Sequence, residues 1–429
     1  MWITYNHSIN FLDCLFSGKF FEFYEYTLEH RFLGLPADYF IMIYILFGIW
    51  NFPTWLISKC VMPLPEVVLL IWCKGIVILF TVLSLRMIRK LLEYLECKDV
   101  TLTLFQICTS LCFAIPIFAI GQYDIITVFF VLFGVWQFIK EDKISWRVML
   151  IFAIAMPIKM FSFFSYVFLV LLKEKRILYI VRDLAISMIG CLVCALPYIN
   201  QNSFYEAMSY NNEGIMSILQ SVVVGGIMEI PLLVVCFALL CVFAWLKIVS
   251  DKKEMLQYII WLNAAFYVSF FIFVNANPYW SVWLSVFLVM CMQINPKRMY
   301  SCTILEFVAS VCLIIVQANS FYWVYFSSDN IKWLLLKDIP IKYDYFNISS
   351  LADFIAKLKL EAFVPALYAV FAVMSISIIT INCPWNRKKY GEENKIISEL
   401  KNNQNVIYMV RLASIGVYCL ITLVITYII

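Results

Sequence analysis

A handful of polar side chains stand inside long apolar stretches of this chain, and each of them needs a partner, a water-filled cavity or a chemical task there. Asp13 lies in INFLDCLFSGKFFEFYEY, a stretch rich in Phe and Tyr. A carboxylate held against aromatic rings in a poorly hydrated cleft holds its proton more tightly and suits a general base. The plainer alternative is a solvated acid on an amphipathic helix, and Glu22, Glu25 and Glu29 compete for the same role. Gln122, Tyr123 and Asp124 form a G-Q-Y-D turn between two apolar runs. There Asp124 can act in a site or simply cap the next helix, because Asp is favoured at helix N-termini. Lys159 lies mid-run, too far from either end to snorkel easily. An amine there suits a phosphate or a sugar carboxylate, and equally a carboxylate on another helix. Lys74 is similar but nearer an end. Asn277, Tyr279 and Trp280 stand in NANPYWSVW, where amides and aromatic faces fit a sugar ring or an ordinary interfacial aromatic belt.

Composition narrows the class before any motif does. Of 429 residues 64% are hydrophobic and 14% are charged. A soluble domain is nearer half apolar and a quarter charged, so the chain reads as a polytopic membrane protein. Fifteen cysteines lie mostly inside apolar runs, where free Cys behaves as a small apolar residue. Cys191 and Cys194 form a lone C-x-x-C, and His7 and His30 are the two histidines, so zinc chemistry is not expected. Phosphate-loop, dinucleotide and nucleophile-elbow motifs are absent. So is a basic, aromatic-interleaved patch for nucleic acid. The first residues lack the charged start, apolar core and cleavage site of a signal peptide.

The elements that must position these residues are apolar runs long enough for membrane helices. They fall near 39–58, 67–88, 102–120, 124–139, 148–172, 179–199, 230–248, 257–274, 279–294, 300–317, 361–382 and 406–429. The expected fold is all-α, a polytopic bundle of about 11–13 membrane helices including re-entrant pairs, in one membrane domain over 1–429. Backbone polar groups in lipid must be satisfied within the helix.

Lys and Arg in short loops set the orientation. Clusters at 86–98, 140–147, 173–182, 247–253, 297–298 and 387–401 belong on the cytoplasmic side. The loops at 121–123, 200–229 and 275–279 carry neither residue and belong outside, as does 318–360 by alternation. Basic clusters flank both ends of 148–172, which predicts a helical hairpin broken around Pro157 and Lys159. Gly48, Asn51 and Pro53 interrupt 39–58, and a re-entrant reading of that run leaves 1–38 outside.

GQYD before a helix, a basic loop and an apolar run carrying P-I-K resembles the GT-C superfamily of membrane glycosyltransferases, in its polyprenol-phosphate-sugar-dependent, mannosyltransferase-like branch. The segment from Asp13 through LFSGKFFEFYEY resembles that family's first outer loop, ADYFIMIYILFGIWNFP its next short helical segment, and NPYWSVWLSVFLV its later aromatic turn. The likeness covers roughly residues 5–295. The family's opening helix would precede residue 1.

This resemblance implies an outer juxtamembrane segment (1–38), a GT-C-like core (39–317), an outer loop (318–360) and C-terminal helices (361–429). It implies transfer of a hexose from a polyprenyl phosphate to a lipid, glycan or protein acceptor on the outer face of the cytoplasmic membrane, among membrane lipids and without cofactor, metal or nucleic acid. Asp13 maps to the family's base, Asp124 to the acid of its turn, and Lys159 to a place near the carrier phosphate. A donor carried by lipid needs no nucleotide loop, which agrees with the motif search. The rivals are an oligosaccharide-lipid flippase, for which paired inverted repeats are expected, and a glycan polymerase, for which outward arginines are expected.

Overall fold

The computed structural model describes residues 1–210, 230–320, 359–384, 404–417 and 419. The described chain is helical throughout, without a strand. Six helices are long and apolar enough to cross a membrane, or seven if one bent pair counts as a single span. Further apolar helices of 10–17 residues accompany them. The sequence-based expectation of 11–13 membrane elements thus divides into full-length spans and shorter pieces. The outer loop expected at 318–360, most of the loop at 200–229 and part of the last run lie outside the described residues.

The chain forms two compact units. The first comprises Met1–Met87, Gly121–Pro231 and Cys241–Ile248. Its N-terminal layer is α1 (Trp2–Phe16), α2 (Phe23–Glu29) and α3 (Ile41–Cys60), followed by α4 (Glu66–Tyr94), whose end enters the second unit. Helix α3 is continuous, where the sequence predicts an interruption. One proline removes one backbone bond. The polar Asn51 that reads as a break turns inward and donates to Ser8 Oγ at 2.9 Å. Phe11 packs on Phe20 and Phe23, and Tyr24 on Tyr198 and Phe204. Each such ring pair contributes about 0.5–1.5 kcal/mol beyond its buried area. Trp50 and Trp72 stack and each donates its indole N–H to the other's backbone carbonyl, at 2.7 and 2.8 Å, which clasps α3 to α4.

The rest of the first unit is built on α7 (Asp124–Glu141), α8 (Trp146–Ile158), α9 (Phe161–Lys173), α10 (Ile177–Ala195) and α11 (Asn202–Ser209). The hairpin predicted around Lys159 is present. Helix α8 ends at Ile158, Lys159 is extended (φ −157°, ψ 122°), and α9 starts two residues later. Phe152 and Tyr166, each seven residues from Lys159, stack with centroids 4.5 Å apart. At the open end Lys173 returns to Asp142 at 2.7 Å. Each arm has 13 residues, about 20 Å of helix, short of the ~30 Å hydrocarbon core. Gly190 of α10 lies against the Ala153 carbonyl, where any Cβ would overlap it, so α8 and α10 approach backbone to backbone.

The second unit comprises Ile88–Ile120, Leu232–Leu240 and Val249–Ile429. It contains α5 (Val100–Thr109), α6 (Leu111–Ala114) with a π-turn to Ile120, α12 (Leu232–Leu246, which ends in the first unit), α13 (Lys252–Phe273), α14 (Ser281–Met292), α15 (Met299–Ser320), α16 (Val364–Ile381) and a helix over 404–417. The run 102–120, read from sequence as one helix, bends by 66° at Ser110.

Two outcomes are expected. In a background with the native cysteines replaced, cysteines placed at 142 and 173 should react with a membrane-impermeant reagent from the same side; labelling from opposite sides would exclude the hairpin. His7 is buried, donates Nε2–H to Leu35 O at 3.2 Å, and burial lowers its pKa to about 4. The unfolded chain therefore binds the extra proton between pH 6.5 and 4, and the His7 contribution, intact above pH 6.5, is lost as pH falls, up to about 3 kcal/mol. Thermal melts from pH 4.5 to 7.5 should show a shallower acid loss for His7→Gln than for the wild type.

Candidate functional site

The hairpin tip carries Lys159 to the N-terminus of α7. Lys159 Nζ lies 3.1 Å from Asp124 Oδ1, and the two side chains are 7% and 0% exposed. The lysine thus has the interhelical carboxylate that sequence offers as its plainer reading, and that carboxylate is itself a candidate site residue. The dimensions explain the meeting. Helix α7 rises about 27 Å over 18 residues, and α8 rises about 20 Å, with the lysine side chain spanning the remainder. Asp124 does not cap its helix; Tyr123 holds the N-cap position. The carboxylate still gains from the first-turn dipole while facing the amine.

Neighbouring side chains enclose the pair. Gln122 is buried in the same turn, two residues before Asp124. The Lys159 ammonium lies 5.2 Å from the centroid of the Tyr39 ring and 5.6 Å from that of Tyr123, within cation–π range. Tyr123 packs edge-on against Tyr39 and Phe47. Gly121 makes the turn at φ +72°, and a Cβ there would lie 2.8 Å from Lys74 Cε. Only glycine combines that backbone with the lysine stem lying across it. Gln122, Tyr123, Asp124, Lys159 and Lys74, chosen separately from sequence, therefore gather in one place.

Asp13 is placed elsewhere. Its Oδ1 accepts from Trp55 Nε1 at 2.8 Å and pairs with Lys59 at 3.1 Å, at the last turns of α3. Tyr123 meets α3 at Phe47, about 12 Å of helix rise before Trp55. Sequence sees an acid among aromatics at residue 13; it does not see which end of α3 that acid will reach. Asp38, which sequence reasoning passed over, is half-buried beside Tyr39, and its charge acts on Tyr24, Tyr44 and Tyr123. The signal available was adjacency: A-D-Y-F opens the same helical segment that carries the family resemblance.

Asn277, Tyr279 and Trp280 belong to the second unit. There Asn277 is buried in the turn before α14, Trp280 packs on Phe270 and Tyr279, and Gln317 donates to Ala276 O at 3.1 Å. Among the described residues no group of three or more His, Cys, Asp or Glu has metal-binding geometry.

No protein-family model matches this chain, and no curated protein or solved structure matches it either. The geometry therefore carries the functional argument.

Replacing one member of the buried pair should be costly. Lys159→Ala leaves the Asp124 carboxylate without its cation, a loss of about 3–5 kcal/mol. The double variant Asp124→Leu/Lys159→Met should recover most of the thermal stability in detergent. A double-variant loss equal to the sum of the two single losses would show that the two charges are not coupled.

Proposed function

We propose that this protein is a membrane glycosyltransferase of the GT-C kind, which moves a hexose from a polyprenyl phosphate to a lipid, glycan or protein acceptor at the outer face of the cytoplasmic membrane. The observation that carries the reading is the buried Lys159–Asp124 pair at the tip of a re-entrant hairpin, under the rings of Tyr39 and Tyr123. An ionisable pair deep in an apolar chain marks a substrate path more often than a structural ornament. Irregular backbone at such depth belongs where it lines a cavity.

The chemistry follows from the residues. The acceptor hydroxyl attacks the anomeric carbon from the face opposite the phosphate, the glycosidic C–O bond breaks, and polyprenyl phosphate departs with the electron pair. Charge grows on the departing phosphate, and a fixed amine nearby stabilises it. Lys159 has that role, with Asp124 holding it in place. Tyr39, Tyr123 and the Lys74 stem bound the sugar and exclude water. The acceptor proton needs a carboxylate reachable from outside; we assign it to Asp38, half-buried beside Tyr39 of the cluster, rather than to Asp13, which lies at the far turns of α3 beside Trp55 and Lys59.

The test uses purified protein in nanodiscs with a polyprenyl-phosphate hexose and lipid acceptors. Transfer should proceed without a nucleotide sugar. Asp38→Asn should lower turnover by roughly 10²-fold or more, the usual weight of a general base, while Asp13→Asn should cost far less. The opposite ranking would return the base to Asp13. Transfer only from a nucleotide sugar would overturn the proposal, and so would movement of the intact lipid with no bond broken, the flippase result.

A further inference from the structure

The second unit has a buried polar centre of its own, distinct from the proposed transfer site. Helix α5 stops at Thr109, Ser110 is extended (φ −61°, ψ 131°), and α6 leaves at a sharp angle. The break turns the Ser110 hydroxyl onto Glu306 of α15, donating to Oε1 at 2.6 Å. Ser310, one turn along α15, donates to the same oxygen at 2.8 Å. Arg411, wholly buried on the 404–417 helix, pairs with the other carboxylate oxygen. Cys112 Sγ donates to Ser310 Oγ at 3.4 Å. The carboxylate thus stands in a paired, hydrogen-bonded setting, and the Glu306–Arg411 pair is neutral as a whole.

Beside Glu306 lies a cavity bounded by α6, α14, α15 and α16, with about 10 Å³ of free volume, close to the minimum for one water molecule. Two hydroxyls on its wall, Ser285 Oγ and Ser375 Oγ, are fully buried and have no hydrogen-bond partner. Buried hydroxyls are rarely left so, because an unmade bond costs the whole desolvation of the group. We infer that this cavity is a hydration site, in which one ordered water accepts from Ser285 and Ser375 and donates to Glu306 and Ser310. That water has the two to four polar partners such sites require, and it joins three helices around a single carboxylate.

The wall chemistry selects water over other small species. An anion would face a carboxylate, with Arg411 turned to that carboxylate's far oxygen. A bare monovalent cation would find oxygens, but it would add a net charge to a pair already neutral in an apolar bundle. An apolar occupant would leave both serine hydroxyls unpaired.

The deciding measurement is an experimental map of the wild-type protein at a resolution that shows ordered water. One isolated peak at hydrogen-bond distance from Ser285 Oγ and Ser375 Oγ is expected; an empty cavity would overturn the inference. Ser375→Thr supplies an independent readout, because its added methyl fills the space. If water occupies the cavity, its displacement leaves the Ser285 hydroxyl without a partner and removes one bond to Glu306, and the melting temperature should fall by roughly 2 °C or more. A rise would show that the cavity is dry. Melting in sodium chloride and in choline chloride should coincide, whereas stabilisation by sodium would replace the water with a bound cation.

Discussion

A charge taken into an apolar bundle must bring its counter-charge with it, and the arrangement of this protein follows from that constraint. Coulomb attraction at 3 Å is strong in a poorly polarisable interior, yet the loss of hydration is of similar size, so the surroundings of a pair decide whether it holds. At Asp124 and Lys159 the extra support comes from the α7 dipole and two tyrosine rings. At Glu306 and Arg411 it comes from two serine hydroxyls. Neither pair is local in sequence: 35 residues separate Asp124 from Lys159 and 105 separate Glu306 from Arg411.

Both pairs stand at broken helices, and the coincidence has a physical cause. A break frees backbone donors and acceptors that lipid cannot satisfy. It is tolerated only where polar side chains or water already gather, and a buried ion pair is such a place. The Lys159 break turns the chain back so that Lys173, at the end of α9, pairs with Asp142. The Ser110 break aims a hydroxyl at Glu306. Irregular backbone and buried charge are thus two aspects of one local solution.

Much of this was legible in the residues, and the rest was hidden for definable reasons. The membrane class and the all-helical fold follow from composition and run length. The hairpin follows from basic clusters at both ends of 148–172, since a single crossing would strand one of them outside. The gathering of Gln122, Asp124 and Lys159 rests on the cost of lone charges in hydrocarbon. By contrast, α3 was read as broken because Gly48, Asn51 and Pro53 weaken a helix in isolation; the partner that compensates, Ser8 on α1, is set by packing. Ser110 gave no warning, because a lone serine in an apolar run is compatible with unbroken helix. Glu306 and Arg411 were visible as ionisable residues within apolar runs, but 105 residues separate them and no periodicity links them.

The roles of the acids follow from solvent access as much as from position. Asp124 is fully buried against Lys159, and the rings of Tyr39 and Tyr123 lie over the amine. On the proposed reading Asp124 fixes the position of that amine and leaves the acceptor proton to another acid. Asp38, beside Tyr39, is the more open of the two acids near the cluster. Burial thus sets apart two carboxylates of the same intrinsic strength, and the proposed division of roles rests on that difference in access.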